Sequence, residues 1–440
     1  MSSLSRSSDP SPAGSRKTSI EKRESFRNAV KDMGFDEVRF APATEAPAIY
    51  ADRFAEWLND GGHAGMGWLE RTREKRLDPS RVLPGARSMV MLGVNYWPGE
   101  EKARRQEMWA KYALYKDYHD MIEAALKRCG TLLEERFGIG PSDHRYYVDT
   151  GPVMERGFAA RCGIGFQGKN GMLISRSHGN WLFLACIVTR LRFIPDPPLV
   201  GGNPVEGAGD TGQFCGTCRR CIDACPTDAI REPGLVESRL CISYQTIENK
   251  GIIPRELRPL IGGRIFGCDI CLDVCPWNRF ARSGRQLLLE QRYRLADLTL
   301  LEILCMTRER FSEEFRRSPV KRLKWRGLMR NGCVVAANTC GKEPSERAAI
   351  LDALERLAKD DEPIVRAHAV WAIHRIAGGN ARDRLKSLCQ KETDPEVLEE
   401  YARAEQPRAG LNAHTGASAG NGDFAAGIRT NRRSGEPEKQ

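Results

Sequence analysis

The chain contains no run of 18 apolar residues, which excludes a helical membrane span. Its first stretch, Met1 to Thr18, is rich in Ser, Pro and Arg and has no apolar segment. Neither a secretory signal nor the twin-Arg signal of exported redox enzymes is expected there, and a disordered tail is. Acidic residues are outnumbered, with 68 Lys and Arg against 58 Asp and Glu and a net charge of +10. An excess of that size points to a polyanionic partner, with a merely solvated basic face as the alternative. The apolar share, 41%, is ordinary for a soluble protein, and 440 residues suffice for two or three domains with real cores.

Cysteine is not scarce, but seven of the 15 stand singly: Cys129, Cys162, Cys186, Cys305, Cys333, Cys340 and Cys389. That scatter speaks against a disulfide framework. The other eight fall within about sixty residues: Cys215-x2-Cys218-x2-Cys221-x3-Cys225-Pro226, then Cys241, then Cys268-x2-Cys271-x3-Cys275-Pro276. The first run has the spacing of bacterial two-cluster ferredoxins. Three closely spaced thiolates can grip three corners of one [4Fe-4S] cube, and the cysteine before proline ligates the other cube. Cys215, Cys218, Cys221 and Cys275 are therefore assigned to one cluster, and Cys225, Cys241, Cys268 and Cys271 to the other. Two zinc sites are the alternative, because CxxC pairs also bind zinc, although zinc sites rarely use this rhythm. Reduced thiols without an export signal predict a cytoplasmic protein.

Residues 19–200 read as one mixed α/β domain. Helical spacing runs from Ile20 to Met33 and from Asp117 to Phe137, each ending at a glycine. Val38–Ala41, Ser88–Tyr96, Arg145–Val148 and Asn180–Thr189 read as strands. The Gly-rich stretch 201–212 is a predicted linker, and 213–282 is the cluster region. From about 295 to 403 the chain turns helical and repeats: Arg330–Asn338 matches Arg366–His374 at a spacing of 36. A helix-pair repeat of that period is HEAT-like, with a plain helical bundle as the alternative. Residues 404–440 are predicted to be a disordered tail.

Gly163-Ile-Gly165-Phe-Gln-Gly168-Lys169-Asn170 fits both GxGxxG and GxxxxGK. Asn170 stands where a phosphate loop needs Ser or Thr for Mg²⁺, and a predicted helix, Pro152 to Cys162, precedes the glycines where a strand is required. Nucleotide binding is not expected. Asp117-Tyr-His119 resembles the start of the cobalamin motif DxHxxG but lacks its final glycine, so His119 reads as a surface histidine. Asp149 ends a strand before Thr150-Gly-Pro152, with Glu155 and Arg156 on the following helix. A carboxylate there is placed to act as a general acid, or to cap the helix beginning near Pro152.

Four stretches together resemble the epoxyqueuosine reductase family, cobalamin-dependent iron–sulfur enzymes that finish queuosine synthesis on tRNA. They are Glu74–Pro79; Lys116–His119; Val148–Gly151 leading to Glu155-Arg156 and Ala159–Leu173; and Cys215–Asn278. The resemblance covers about residues 20–400. It implies an α+β architecture: a nitroreductase-like α/β cobalamin domain, a ferredoxin-like domain with two [4Fe-4S] clusters, and C-terminal HEAT-like helices that help hold tRNA. It places Asp149 at the proton-donor position, needing a raised pKa to donate. It places Arg76, Lys169, Asn170, Met172 and Ser243 beside the corrin or substrate, assigns Asp269 to the cofactor site, and sets the corrin next to the second cluster. Some members carry a cysteine near Ala110, whose absence here excludes a thiol from that position.

The implied reaction removes an epoxide oxygen as water, using two electrons, two protons and an external donor such as a flavodoxin or ferredoxin system. The substrate would be tRNA carrying epoxyqueuosine in its anticodon stem-loop, and the protein a monomer. Lys321, Arg322 and Lys324 in the basic run 316–326, together with Lys250, are the candidate tRNA contacts, with Trp325 packing or stacking near RNA and a solvated basic helix face as the alternative. A reductive dehalogenase, or an electron carrier fused to an RNA-binding scaffold, are the competing readings.

Overall fold

The computed structural model describes residues 19–99, 108–203, 205–282, 289–290, 295–341 and 343–404. The tails expected at 1–18 and after Ala404 lie outside the described residues. Among the described residues no helix is long and apolar enough to cross a membrane.

The first region is built on a four-stranded, wholly antiparallel sheet. Helix α1 (Ile20–Asp32) leads into β1 (Glu37–Pro42), and β2 (Ser88–Asn95) follows. Then come α2 (Tyr118–Phe137), β3 (His144–Val148), α3 (Glu155–Arg161), β4 (Gly165–Gln167), β5 (Leu173–Ser175) and β6 (Leu182–Thr189). The sheet order is β1-β2-β6-β3, while β4 and β5 pair separately as a hairpin. Every residue of β2 is buried, because the strand is covered on both faces. Its alternation shows this: Val90, Leu92 and Val94 join the core under α1 and α2, whereas Met89 and Met91 join the core under α3. On α2, Ile122, Ala125, Leu126, Cys129 and Leu133 form the buried stripe expected of a helix lying on a sheet. Asp117 caps its start, and Gly138, at φ 63°, ends it in the left-handed region that glycine enters freely.

In the cysteine region two short helices, Arg220–Asp223 and Ile270–Asp273, pack against each other. Helix α4 (Ile242–Ile247) begins immediately after Cys241. Beyond it lie α5 (Lys324–Thr339), α6 (Pro344–Leu357), α7 (Pro363–Ala377), α8 (Ala381–Cys389) and α9 (Pro395–Ala404). Three of these start with proline at the first position, where the missing N–H is no loss. The two repeated segments lie on α5 and α7, which pack directly against each other.

Packing does not stop at the expected boundaries. One apolar core runs from Phe26 through Phe266 and Val334 to Tyr401. Polar contacts join the regions too. Arg330, fully buried on α5, donates to the carbonyls of Gln245 (2.8 Å), Asn249 (2.7 Å) and Gly251 (2.8 Å). Its neighbour Asn331 donates to the carbonyls of Thr246 and Ile265, at 2.9 and 2.8 Å. The helical region thereby fixes the segment that links Cys241 to Cys268.

Candidate active site

Val148 ends β3, and Asp149 turns out of the sheet with φ 57°. That left-handed conformation is strained for most side chains but tolerated by Asp and Asn. It does not cap the next helix: α3 begins at Glu155, with Met154 in the cap position. Gly151 is required just beyond, since a Cβ there would lie 2.4 Å from the Tyr147 ring. The turn carries the Asp149 carboxylate to the start of α2. Tyr118 donates its hydroxyl to Asp149 Oδ2 at 2.8 Å, and His119 Nε2 stands 3.6 Å from the same oxygen. His119 Nδ1 is 2.7 Å from Asp117 Oδ1. His119 is thus half-buried between two carboxylates and is not the surface residue expected from the sequence.

The electrostatics follow from these contacts. Burial would raise the Asp149 pKa, but the close approach of the His119 ring, the Tyr118 hydrogen bond and the charges of His119 and Arg156 outweigh it and hold the carboxyl below its usual value. The residues around Asp149 therefore do not by themselves supply the raised value that proton donation needs. Burial would lower His119, yet Asp117 and Asp149 push it up to about 9. Glu155 behaves oppositely to Asp149: burial, with Asp149 nearby, pushes it up to about 8. Two neighbouring acids thus differ in protonation near neutral pH, a division typical of sites that handle protons. In the sequence Glu155 stands only as a helix residue, and nothing in its local pattern indicates its burial.

Asp149 has 68% of its side-chain surface accessible, and Arg156 is exposed as well, although both are surrounded by protein. Glu155 Oε1 is buried without a hydrogen-bond partner. Accessible charges and an unpaired oxygen on the floor of a concavity fit a large, polar, partly charged ligand. Arg76 reaches the same place, donating to the Val153 carbonyl at 3.2 Å, with Glu155 and Asp149 as its nearest charges. Arg156 lies 3.8 Å from Met172 Sδ. Asn170, also in this β4–β5 hairpin, donates to the Cys271 carbonyl at 3.4 Å. The hairpin therefore spans from Asp149 to the cysteine region, and its geometry excludes a phosphate loop, as expected from the sequence.

The eight cysteines separate into two adjoining sets. Cys215, Cys218, Cys221 and Cys275 line one cavity together with Lys169 and Asn170. Lys169 turns away from Asp149, donating to the carbonyls of Gly216 (2.7 Å) and Cys218 (3.1 Å). In the other set, Cys241 neighbours Cys225, Cys268 neighbours Cys241, and Cys271 neighbours both Cys268 and Cys241. Burial pushes Cys221 and Cys268 up to about 11, so these thiols need a bound positive centre to be held as thiolates. Cys271 also feels Cys221, which places the sets side by side. Among the described residues no three His, Cys, Asp or Glu group as ligands of a single ion. Four thiols spread around one cavity suit the corners of a cube better than one zinc ion.

Ser243 follows Cys241 on α4, and the backbone N–H groups of Ser243 and Tyr244 point at the Cys241 sulfur. Asp269, next to Cys268, accepts from the Lys111 backbone N–H at 2.7 Å, and burial raises its pKa despite that nearby cation. Gly267 is needed at this approach, because a Cβ on it would lie 2.6 Å from Ala110 Cβ. Tyr112 lies between the two centres, with both Asp149 and Asp269 raising its pKa further after burial.

The basic run borders the same site. Lys321 and Lys324 are exposed. Arg322 is not free: it pairs with Glu248 at 2.7 Å and lies over the Trp68 ring at 5.6 Å. Lys250 donates to the Ile247 carbonyl at 2.7 Å. Trp325 is 8% exposed, with its N–H bonded to the Met306 carbonyl and Arg308 over its ring. It belongs to the core, so the expectation that it stacks on RNA is not met.

Comparison with known proteins agrees with this geometry. Residues 214–278 match a family described as "4Fe-4S double cluster binding domain". Residues 76–150 match one described as "Epoxyqueuosine reductase QueG, DUF1730". The chain is 40% identical over 321 residues to the epoxyqueuosine reductase of Cyclobacterium marinum, covering 71% of this chain and 97% of that one. It is 33% identical over 358 residues to that of Pseudomonas aeruginosa, covering 80% and 94%. Among solved structures it resembles an epoxyqueuosine reductase crystallised with an epoxyqueuosine-modified tRNA-Tyr stem loop (TM-score 0.74, 28% identity, 87% of this chain and 98% of that one). The enzyme of Streptococcus thermophilus is similar (TM-score 0.69, 25% identity, 87% and 98%). This chain belongs to the epoxyqueuosine reductase family.

Proposed function

We propose that this protein is an epoxyqueuosine reductase, converting epoxyqueuosine at the wobble position of a tRNA anticodon to queuosine. The observation that carries the reading is the open, charged floor around Asp149, joined by one hairpin to two adjoining sets of four cysteines. Cys215, Cys218, Cys221 and Cys275 would hold one [4Fe-4S] cluster; Cys225, Cys241, Cys268 and Cys271 the other. Arg76, Met172, Ser243 and Asp149, beside the second set, are the residues that would hold cobalamin. When bound, cobalamin would supply a strongly reducing cobalt centre, recharged one electron at a time through the clusters from an outside carrier.

The chain's own residues do the rest. An alkoxide is a poor leaving group, and a proton delivered to the epoxide oxygen removes that obstacle. Asp149 is the group placed to deliver it. Lys169 and Asn170 support the first cluster and the hairpin. Asp269, fixed by Lys111, supports the turn that presents Cys268 and Cys271. Lys321 and Lys324, at the exposed rim, are the phosphate contacts for tRNA, and Arg322 and Lys250 shape that rim. The paired helices of 295–403 form a HEAT-like scaffold behind it, and the sheet with its helices is nitroreductase-like.

Anaerobically purified protein is expected to carry about eight irons per chain, as two four-iron cubes require. Supplied with cobalamin, it should retain corrin absorbance after gel filtration. Zinc in place of iron, or corrin eluting separately after the protein, would contradict the cofactor assignment.

A further inference from the structure

The mechanism leaves Asp149 without a proton to give, since its partners hold it as a carboxylate. Both nitrogens of the His119 ring face carboxylate oxygens: Nδ1 is 2.7 Å from Asp117 Oδ1, and Nε2 is 3.6 Å from Asp149 Oδ2. A neutral imidazole donates from only one nitrogen, so this placement suits the doubly protonated ring. The ring is also fixed in position. Tyr118 lies between His119 (centroids 4.0 Å apart) and Phe183 (4.1 Å), and its hydroxyl bonds Asp149. Asp117 in turn is held as the cap of α2, accepting the His119 backbone N–H at 3.1 Å.

We propose that Asp117, His119 and Asp149 form a proton relay, in which the His119 imidazolium reloads Asp149 each time it protonates the epoxide oxygen. The inference rests on the functional reading above. The relay moves protons and no electrons. The Nε2–H bond breaks, an Oδ2–H bond forms, and that proton passes to the oxygen leaving the substrate. His119 keeps its Nδ1 proton toward Asp117 and regains the other from water, to which its side chain, 29% exposed, has access. The 3.6 Å gap is longer than a hydrogen bond, so transfer requires a small closing movement, as catalytic contacts often do before substrate binds. The other charges facing this group are Arg156 and Glu155 on α3, Arg76, and Arg322 at the rim, all on the Asp149 side. Glu155 is the rival proton source. His119 is a positioning and relay residue and does not itself touch substrate.

The test follows histidine side-chain NMR in the full-length oxidised holoenzyme, labelled with ¹³C-histidine, alongside the pH profile of turnover. The resonance lost in His119→Gln is expected to stay in the imidazolium form up to about pH 9. Asp117→Asn should lower that midpoint by about one unit or more, and the alkaline limb of kcat should move down with it. An unperturbed midpoint near about 6.5, or an alkaline limb that ignores Asp117→Asn and follows Glu155→Gln, overturns the relay in an otherwise active enzyme. A wild-type protein inert on epoxyqueuosine tRNA overturns the functional reading, and the relay with it.

Discussion

Asp149→Asn is expected to lower turnover by about 10²- to 10⁴-fold, the range for loss of a positioned proton donor, while iron and cobalamin content stay unchanged. Asparagine suits the test because it tolerates the left-handed φ of 57° nearly as well as aspartate, so the turn after β3 should survive. It can still accept the Tyr118 hydrogen bond, but it can neither pair with His119 nor pass on a proton. Losing one of its two carboxylate partners should also lower the His119 pKa from about 9. The sign of the linked stability effect is fixed. A folded-state value raised above the unfolded one of about 6.5 means that His119 stabilises the fold fully below that pH. The contribution fades as pH rises toward about 9. The variant should therefore lose stability relative to wild type near pH 6 and match it more closely above pH 9, by thermal unfolding at each pH. Wild-type turnover in this variant would remove Asp149 from the chemistry.

Arg330→Met should have the largest effect on the fold. Methionine replaces the stem in volume but not the guanidinium, which donates to the carbonyls of Gln245, Asn249 and Gly251. A buried acceptor left unpaired costs about 1–3 kcal/mol, so the variant is expected to lose about 3 kcal/mol or more in denaturant unfolding. The released loop follows Cys241 by a few residues and leads toward Cys268. The second cluster should consequently be lost before the first, seen as about half the wild-type iron with the remainder still in cube form. A loss under about 1 kcal/mol with full iron would mean that water replaces the guanidinium at all three carbonyls.

How much of this was legible in the sequence depended on whether the signal was local. The cysteine spacing is covalent arithmetic, and the two sets emerge side by side. The buried strands were legible because β2 and β6 are covered on both faces and read as continuous apolar runs. Asp117 and Gly138 bracket α2 with ordinary cap chemistry. The misreadings arose where the third dimension decides. His119 looked like a surface residue because Asp149, thirty positions away, reaches it only through the left-handed turn after β3. Trp325 looked available to RNA because the Met306 carbonyl that binds its N–H comes from the connection between two earlier helices, Leu300–Leu304 and Arg308–Glu314. The Asp149 pKa was expected to rise from burial near the corrin, because the Tyr118 bond and the His119 charge that oppose burial depend on the same turn. Lys169 followed the glycines in sequence but points at the first cysteine set, because it sits in the turn of the hairpin, where its ammonium reaches the Gly216 and Cys218 carbonyls.

The most direct test of the central claim is nucleoside analysis of tRNA after anaerobic incubation. Protein loaded with iron and cobalamin would be mixed with epoxyqueuosine-containing tRNA and a low-potential one-electron reductant, and the digested nucleosides resolved by mass spectrometry. The expected result is conversion of epoxyqueuosine to queuosine, a loss of one oxygen mass, that fails when cobalamin is withheld. Fully loaded protein that leaves epoxyqueuosine unchanged would contradict the account.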